Sequence, residues 1–172
     1  MEKDFYILSE CEFYLGCFLA VLATVGRLWC AQYIAGYKDG VLVTEGPYSV
    51  TRNPLYFFSF MGGMGAGFAT ETILLPAVIF AGFLMIYPAT IRAEEKKLSL
   101  MFGDAYRAYA ASVPRFFPKL SLFREPEEYV IKTKTYRRAG VEAMLFVWII
   151  ILFEIFEELG ETGAIPALFS IY

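Results

Sequence analysis

Long uncharged apolar blocks separated by short polar stretches organise this chain, and the blocks have the length of membrane spans. A helix that crosses the hydrocarbon core needs roughly 20 mostly apolar residues. The first block runs from Phe13 to Ala35, broken only by Arg27 near its end. The second, Pro54 to Thr70, is short and glycine-rich; the third, Ile73 to Ile91, carries no charge but holds Pro76 and Pro88. Such prolines are tolerated in a membrane helix whose neighbours satisfy the freed carbonyls. The fourth, Gly140 to Phe156, contains the run Met144 to Phe153, and the tail Ala164 to Tyr172 is too short to cross and is expected to pack back at an interface. The pattern predicts an all-α integral membrane protein with four transmembrane helices, or five, and a cytoplasmic interfacial helix between the third and fourth.

Composition agrees. Of 172 residues, 58% are hydrophobic and only 19% charged, against about 45–50% and about 25% in soluble domains. Chemistry is removed as well. There is no histidine, so imidazole bases, Ser/His or Cys/His nucleophiles and His-ligated zinc are absent. Cys11, Cys17 and Cys30 show no CxxC spacing, so neither a metal site nor a disulfide framework is expected. A net charge of −3 argues against nucleic acid as a partner. The acidic start, Glu2 to Glu12, lacks the basic opening of a secretory leader.

Of the 15 Lys and Arg, 11 lie between Arg92 and Arg138, and the turn around Glu71 has none. The positive-inside rule then places Arg92 to Arg138 in the cytoplasm. Counting back two spans puts Gly36 to Asn53 on the same face, so the two polar segments richest in motifs meet there.

Thr51-Arg52-Asn53-Pro54-Leu55-Tyr56 opens the second span. Asn at the N-cap and Pro at the first helical position are start signals, and a helix N-terminus beside Arg52 can receive an anion. Taken alone, the plain reading is a capped helix with a snorkelling arginine. Ile91-Arg92-Ala93-Glu94-Glu95-Lys96-Lys97-Leu98 ends the third span. Charges at a membrane exit are costly unless paired or facing a wet cavity, and Arg92 and Glu95, three apart, share a helix face. Gly63 and Gly67 form a small-xxx-small pair suited to close helix packing rather than to nucleotide binding. Gly103 can stop one helix and Asp104 cap the next, giving Phe102, Tyr106 and Tyr109 as an aromatic stripe along the interface, closed by Val113 to Pro118.

In order, these segments resemble the membrane-embedded methyltransferases of the isoprenylcysteine carboxyl methyltransferase and phospholipid methyltransferase family. The stretches that carry the resemblance are Arg27-Leu28-Trp29, Gly46 to Tyr56, Arg92 to Leu98, Phe102 to Tyr109 and the Val113 to Pro118 closure. The likeness covers about residues 27–118 of a single membrane-embedded domain, 1–172, with a C-terminal extension, 119–172, that adds a transmembrane helix. It implies S-adenosylmethionine as methyl donor, S-adenosylhomocysteine as product, and a hydrophobic or lipid-like acceptor arriving from the membrane, with no metal. Donor contacts would come from Tyr48, Arg52, Asn53, Pro54, Tyr56, Glu94 and Glu95. A carboxylate for the donor's ammonium, an anion site for its carboxylate and aromatic faces for its sulfonium fit these residue types. Arg92 and Glu95 would serve the transfer itself, Arg92 as a clamp on an acceptor carboxylate. Asn53 stands where the carboxyl-methylating branch has histidine, and it cannot carry a proton.

Two other readings compete. An NADPH-dependent lipid reductase on a related scaffold would need a basic pocket for the 2′-phosphate, for which Lys132, Lys134, Arg137 and Arg138 are candidates. A small transporter or scaffold would need mid-membrane charges or a repeat. No repeat is present, and Glu154 and Arg27 are the only charges of that kind.

Overall fold

The computed structural model describes residues 2–35, 37 and 40–162, with side chains at 7–35, 37, 40–160 and 162. The elements, all helical, are α1 (Glu2–Ile34), α2 (Pro47–Val50), α3 (Pro54–Phe68), α4 (Leu74–Ser112), a 3-10 turn (Leu120–Leu122), α5 (Thr133–Ala143) and α6 (Leu145–Glu161). No strand occurs among the described residues.

Three helical stretches are long and apolar enough to cross a membrane: Ile7–Ile34, Leu74–Ser112 and Thr133–Gly160. The expected second span is the exception. At 15 residues, α3 rises only about 22 Å, short of the roughly 30 Å hydrocarbon thickness. The expected tail from Ala164 lies outside the described residues.

Small residues let α3 lie directly on α1. A Cβ on Gly16 would sit 2.7 Å from the Gly65 carbonyl oxygen and 2.5 Å from the Ala69 nitrogen. Backbones this close exchange dispersion contacts that larger side chains would prevent. The expected Gly63/Gly67 pair faces α4 instead, where a Cβ on Gly67 would approach Pro76 at 3.0 Å. Aromatic rings fill the rest of the α3–α4 seam: Phe60 meets Phe83 at 4.4 Å, and Phe83 stacks on Tyr87 at 4.1 Å.

The third span does not stop at the membrane exit. α4 continues for 39 residues, with a change of backbone geometry at Gly103 (φ 52, ψ −121). Gly103 therefore bends the rod, as its lack of a Cβ permits. Beyond it, Tyr106, Tyr109 and Val113 turn inward and form a buried cluster with Leu42, Leu98 and Phe102. The stripe expected at the interface is part of the core.

α5 and α6 follow one another almost without a break and pack on α1. The Thr24 hydroxyl donates to the Ala143 carbonyl at 3.2 Å, and Ile150 packs on Ala20 and Ala69. The outer faces of α4 and α6 stay apolar and open, Met85 being 81% exposed. Lipid matches such a surface, whereas water would not.

Candidate functional site

Among the described residues the buried polar or charged side chains gather at the turn between α2 and α3: Ser49 at its start, Thr51 and Asn53 within it, and Glu95 of α4 beside it. Buried polar groups must find partners, and the segment after α4 supplies them. Arg52 N–H donates to the Pro114 carbonyl and Lys119 N–H to the Val50 carbonyl, both at 2.9 Å. The Thr51 hydroxyl donates to the Phe116 carbonyl at 3.0 Å. The Ser49 hydroxyl donates to the Gly46 carbonyl at 2.7 Å and accepts from Arg124 N–H at 3.0 Å. Residues 114–124 thus strap the turn in place.

Asn53 precedes α3 as expected, but its side chain makes no capping bond. Its amide donates instead to the Arg115 carbonyl at 2.8 Å. Asn53 is therefore a tie between the α3 start and the strap.

The two neighbouring glutamates have different partners. Glu95 is buried between two guanidinium groups, Arg52 at 3.2 Å and Arg115 at 2.6 Å. The Glu95 hydrogen bond holds the Arg115 guanidinium above the ordinary arginine range. Glu94 accepts from the Tyr56 hydroxyl at 2.7 Å, joining α4 to the first turn of α3.

A cavity of about 570 Å³ opens between these elements, inside the roughly 300–1,000 Å³ range of small-molecule sites. Tyr48, Arg52, Asn53, Pro54, Tyr56 and Glu94 all line it. Six of the residues singled out from the sequence therefore share one chamber. Glu95 and Arg92 are not among the lining residues: Glu95 sits behind the wall holding Arg52, and Arg92 is exposed.

Further lining comes from residues outside the expected donor contacts, Tyr109 among them from the aromatic stripe that the sequence also offers as a pocket wall. Tyr87 and Tyr109 add aromatic faces, and Ser59 lies one turn beyond Tyr56. Thr135, Ala139 and Glu142 contribute one face of α5; their spacing of four and three is the helical signal that could have found them. Arg115 was missed because its partner is 20 residues away and only the turn of the strap brings them together.

A match to the family model described as phospholipid methyltransferase covers residues 11–105, more than half of the chain. The chain belongs to the phospholipid methyltransferase family. It is 38% identical over 157 residues to the cobalt-zinc-cadmium resistance protein CzcN of Cupriavidus metallidurans, covering 91% of this chain and 72% of that one. It is 45% identical over 126 residues to the nickel-cobalt-cadmium resistance protein NccN of Alcaligenes xylosoxydans xylosoxydans, covering 73% of this chain and 59% of that protein. A protein-S-isoprenylcysteine O-methyltransferase of Schizosaccharomyces pombe is 34% identical over 85 residues, 47% of this chain and 34% of the yeast protein. No solved structure matches the chain. Three apolar helices of spanning length and membership of this membrane methyltransferase family make the chain an integral membrane protein. The family match takes in Arg27, the α2–α3 turn and both glutamates, and ends before Arg115 and α5.

Proposed function

We propose that the chain transfers a methyl group from S-adenosylmethionine to a hydrophobic or lipid-like acceptor, a carboxylate oxygen being the favoured nucleophile, at the cytoplasmic face of the membrane. The observation that supports this most is the shared cavity: Glu94, Tyr56, Arg52 and Asn53, drawn from two helices and the turn before one of them, line a single chamber. Its chemistry suits a zwitterionic sulfonium compound. Glu94, oriented by the Tyr56 hydroxyl, offers a carboxylate to an ammonium group. Arg52, held by Glu95, offers a guanidinium edge. The rings of Tyr56 and Tyr87, 5.3 Å apart, offer electron-rich faces to a cation.

When bound, the donor supplies an electrophilic methyl group on a positively charged sulfur. The protein's part is to hold the partners in line and keep water out, the effects that dominate a displacement of this kind. A carboxylate acceptor has no proton to lose, so a site without histidine suffices. Arg92 is exposed and outside the cavity lining, so the clamp on that carboxylate falls to other residues. The cytoplasmic placement rests on the basic stretch from Arg92 to Arg138.

The names of two relatives add a biological setting. Converting an anionic carboxylate to a methyl ester removes a negative charge from the membrane. Fewer such charges attract fewer cations to the surface, which connects this reaction to resistance against cobalt, zinc, cadmium or nickel.

Isothermal calorimetry of the detergent-solubilised protein with S-adenosylhomocysteine tests the reading. Saturable binding by the wild type that is weakened about tenfold or more in Glu94→Gln supports it. Equal affinity in the two proteins overturns it.

A further inference from the structure

The cavity contains N–H and O–H groups with no hydrogen-bond partner that the contacts proposed for the methyl donor leave unused. Arg27 on α1 lines it, with one guanidinium N–H given to Ser59. Its Nε is buried without a hydrogen-bond partner, and so is the Tyr48 hydroxyl. Tyr48 is only 7% exposed and lines the same chamber. Burial pushes its phenol well above the ordinary tyrosine value, so it stays a neutral O–H donor. Among the described residues no carboxylate pairs with Arg27, and its guanidinium carbon lies 5.9 Å from the centre of the Phe146 ring.

An unpaired charge at membrane depth is expensive, and so is each buried donor without an acceptor. Two such groups facing one cavity, one of them cationic, call for an anionic oxygen between them. Neither group takes part in the Tyr56–Glu94 and Arg52–Glu95 pairs. Thr135, Ala139 and Glu142 of α5 line the same cavity, and α5 lies beyond the family match, which ends at residue 105.

We propose that Arg27 and the Tyr48 hydroxyl form an anion-binding subsite for the acceptor, which is an amphiphile with an anionic head group, and that α5 shapes the wall against which it lies. The proposal rests on the reading of this cavity as a methyl-transfer site. Arg27 holds the head group through a charge-assisted bond from Nε, and Tyr48 supplies the second donor. The α5 face, with the small side chain of Ala139 at its centre, fixes how bulky the group beside the anion is. Acceptor choice thus resides partly in a segment that the shared family core does not include.

The test uses full-length protein in detergent, saturated with S-adenosylhomocysteine, and two probes of equal chain length, dodecanoate and dodecanol. Wild type binds dodecanoate about tenfold or more tightly than dodecanol. Arg27→Gln removes that preference, leaves dodecanol binding unchanged and keeps S-adenosylhomocysteine affinity within about twofold, which also shows that the variant is folded. Tyr48→Phe reduces the preference in part. Equal binding of the two probes by the wild type overturns the proposal. So does loss of S-adenosylhomocysteine affinity in Arg27→Gln with the dodecanoate preference intact, because the anion is then the carboxylate of the methyl donor. Failure of the methyl-transfer reading is seen separately, as wild-type protein that does not bind S-adenosylhomocysteine at all.

Discussion

The Tyr56 hydroxyl donates to Glu94 Oε2 at 2.7 Å, across the seam between the first turn of α3 and the membrane exit of α4. This bond sets the direction of the Glu94 carboxylate. Tyr56→Phe therefore leaves the charge but frees its orientation. Affinity for S-adenosylhomocysteine is expected to fall by about tenfold, less than in Glu94→Ala, as measured by calorimetry.

Glu95 acts from behind the wall. It is 8% exposed and meets two arginines, so Glu95→Ala leaves the Arg52 charge largely buried, its side chain 14% exposed, and without its carboxylate. Breaking a buried pair in this way costs about 3 kcal/mol. Arg115 is 54% exposed along its side chain, so Arg115→Ala costs about 1 kcal/mol or less after solvent screening. Thermal unfolding in detergent should rank the two variants in that order.

Tyr48 separates stability from function. Its buried hydroxyl has no partner, so Tyr48→Phe is expected to leave thermal stability unchanged or raise it by about 1 kcal/mol. The phenol's folded pKa lies above its ordinary value. Ionisation of this phenol therefore leaves wild-type stability untouched below about pH 10 and lowers it as the pH rises further, because the unfolded chain ionises first. Unfolding scans at rising pH should show a smaller alkaline loss for Tyr48→Phe.

The α1–α3 contact depends on the absence of side chains. Gly16→Leu places atoms against the Gly65 and Ala69 backbone and must push the helices apart, at a cost of about 1–3 kcal/mol or more. A lower unfolding temperature in detergent, with Gly82→Leu as a control, checks this. A Cβ on Gly82 meets nothing within 4 Å.

Much of this was legible because membrane helices declare themselves. Uninterrupted apolar length located α1, the first part of α4 and α6, and Asn53-Pro54 marked the α3 start to the residue; α5, polar and basic, gave no such signal. The second block runs past the end of α3 at Phe68 because Ala69 and Thr70 carry no charge to mark the stop. The division of labour between Glu94 and Glu95 could not be read from adjacent letters. Successive helix positions point about 100° apart, so one faces the cavity and the other faces Arg52 and Arg115. Tyr106 and Tyr109 were misplaced at the interface because an aromatic stripe has the same spacing whether lipid or protein covers it. Here the Leu42 segment covers it, and the Tyr109 hydroxyl donates to the Tyr48 carbonyl at 2.7 Å.

The central claim is methyl transfer into a membrane-soluble acceptor. The most direct measurement incubates purified protein and a membrane lipid extract with S-adenosylmethionine carrying a deuterated methyl group, followed by mass spectrometry of the lipid phase. The expected result is a deuteromethylated, lipid-soluble product formed by the wild type and lost in Glu94→Gln. A lipid phase without deuterium under conditions where the wild-type protein is folded, or equal labelling by both proteins, would contradict the account.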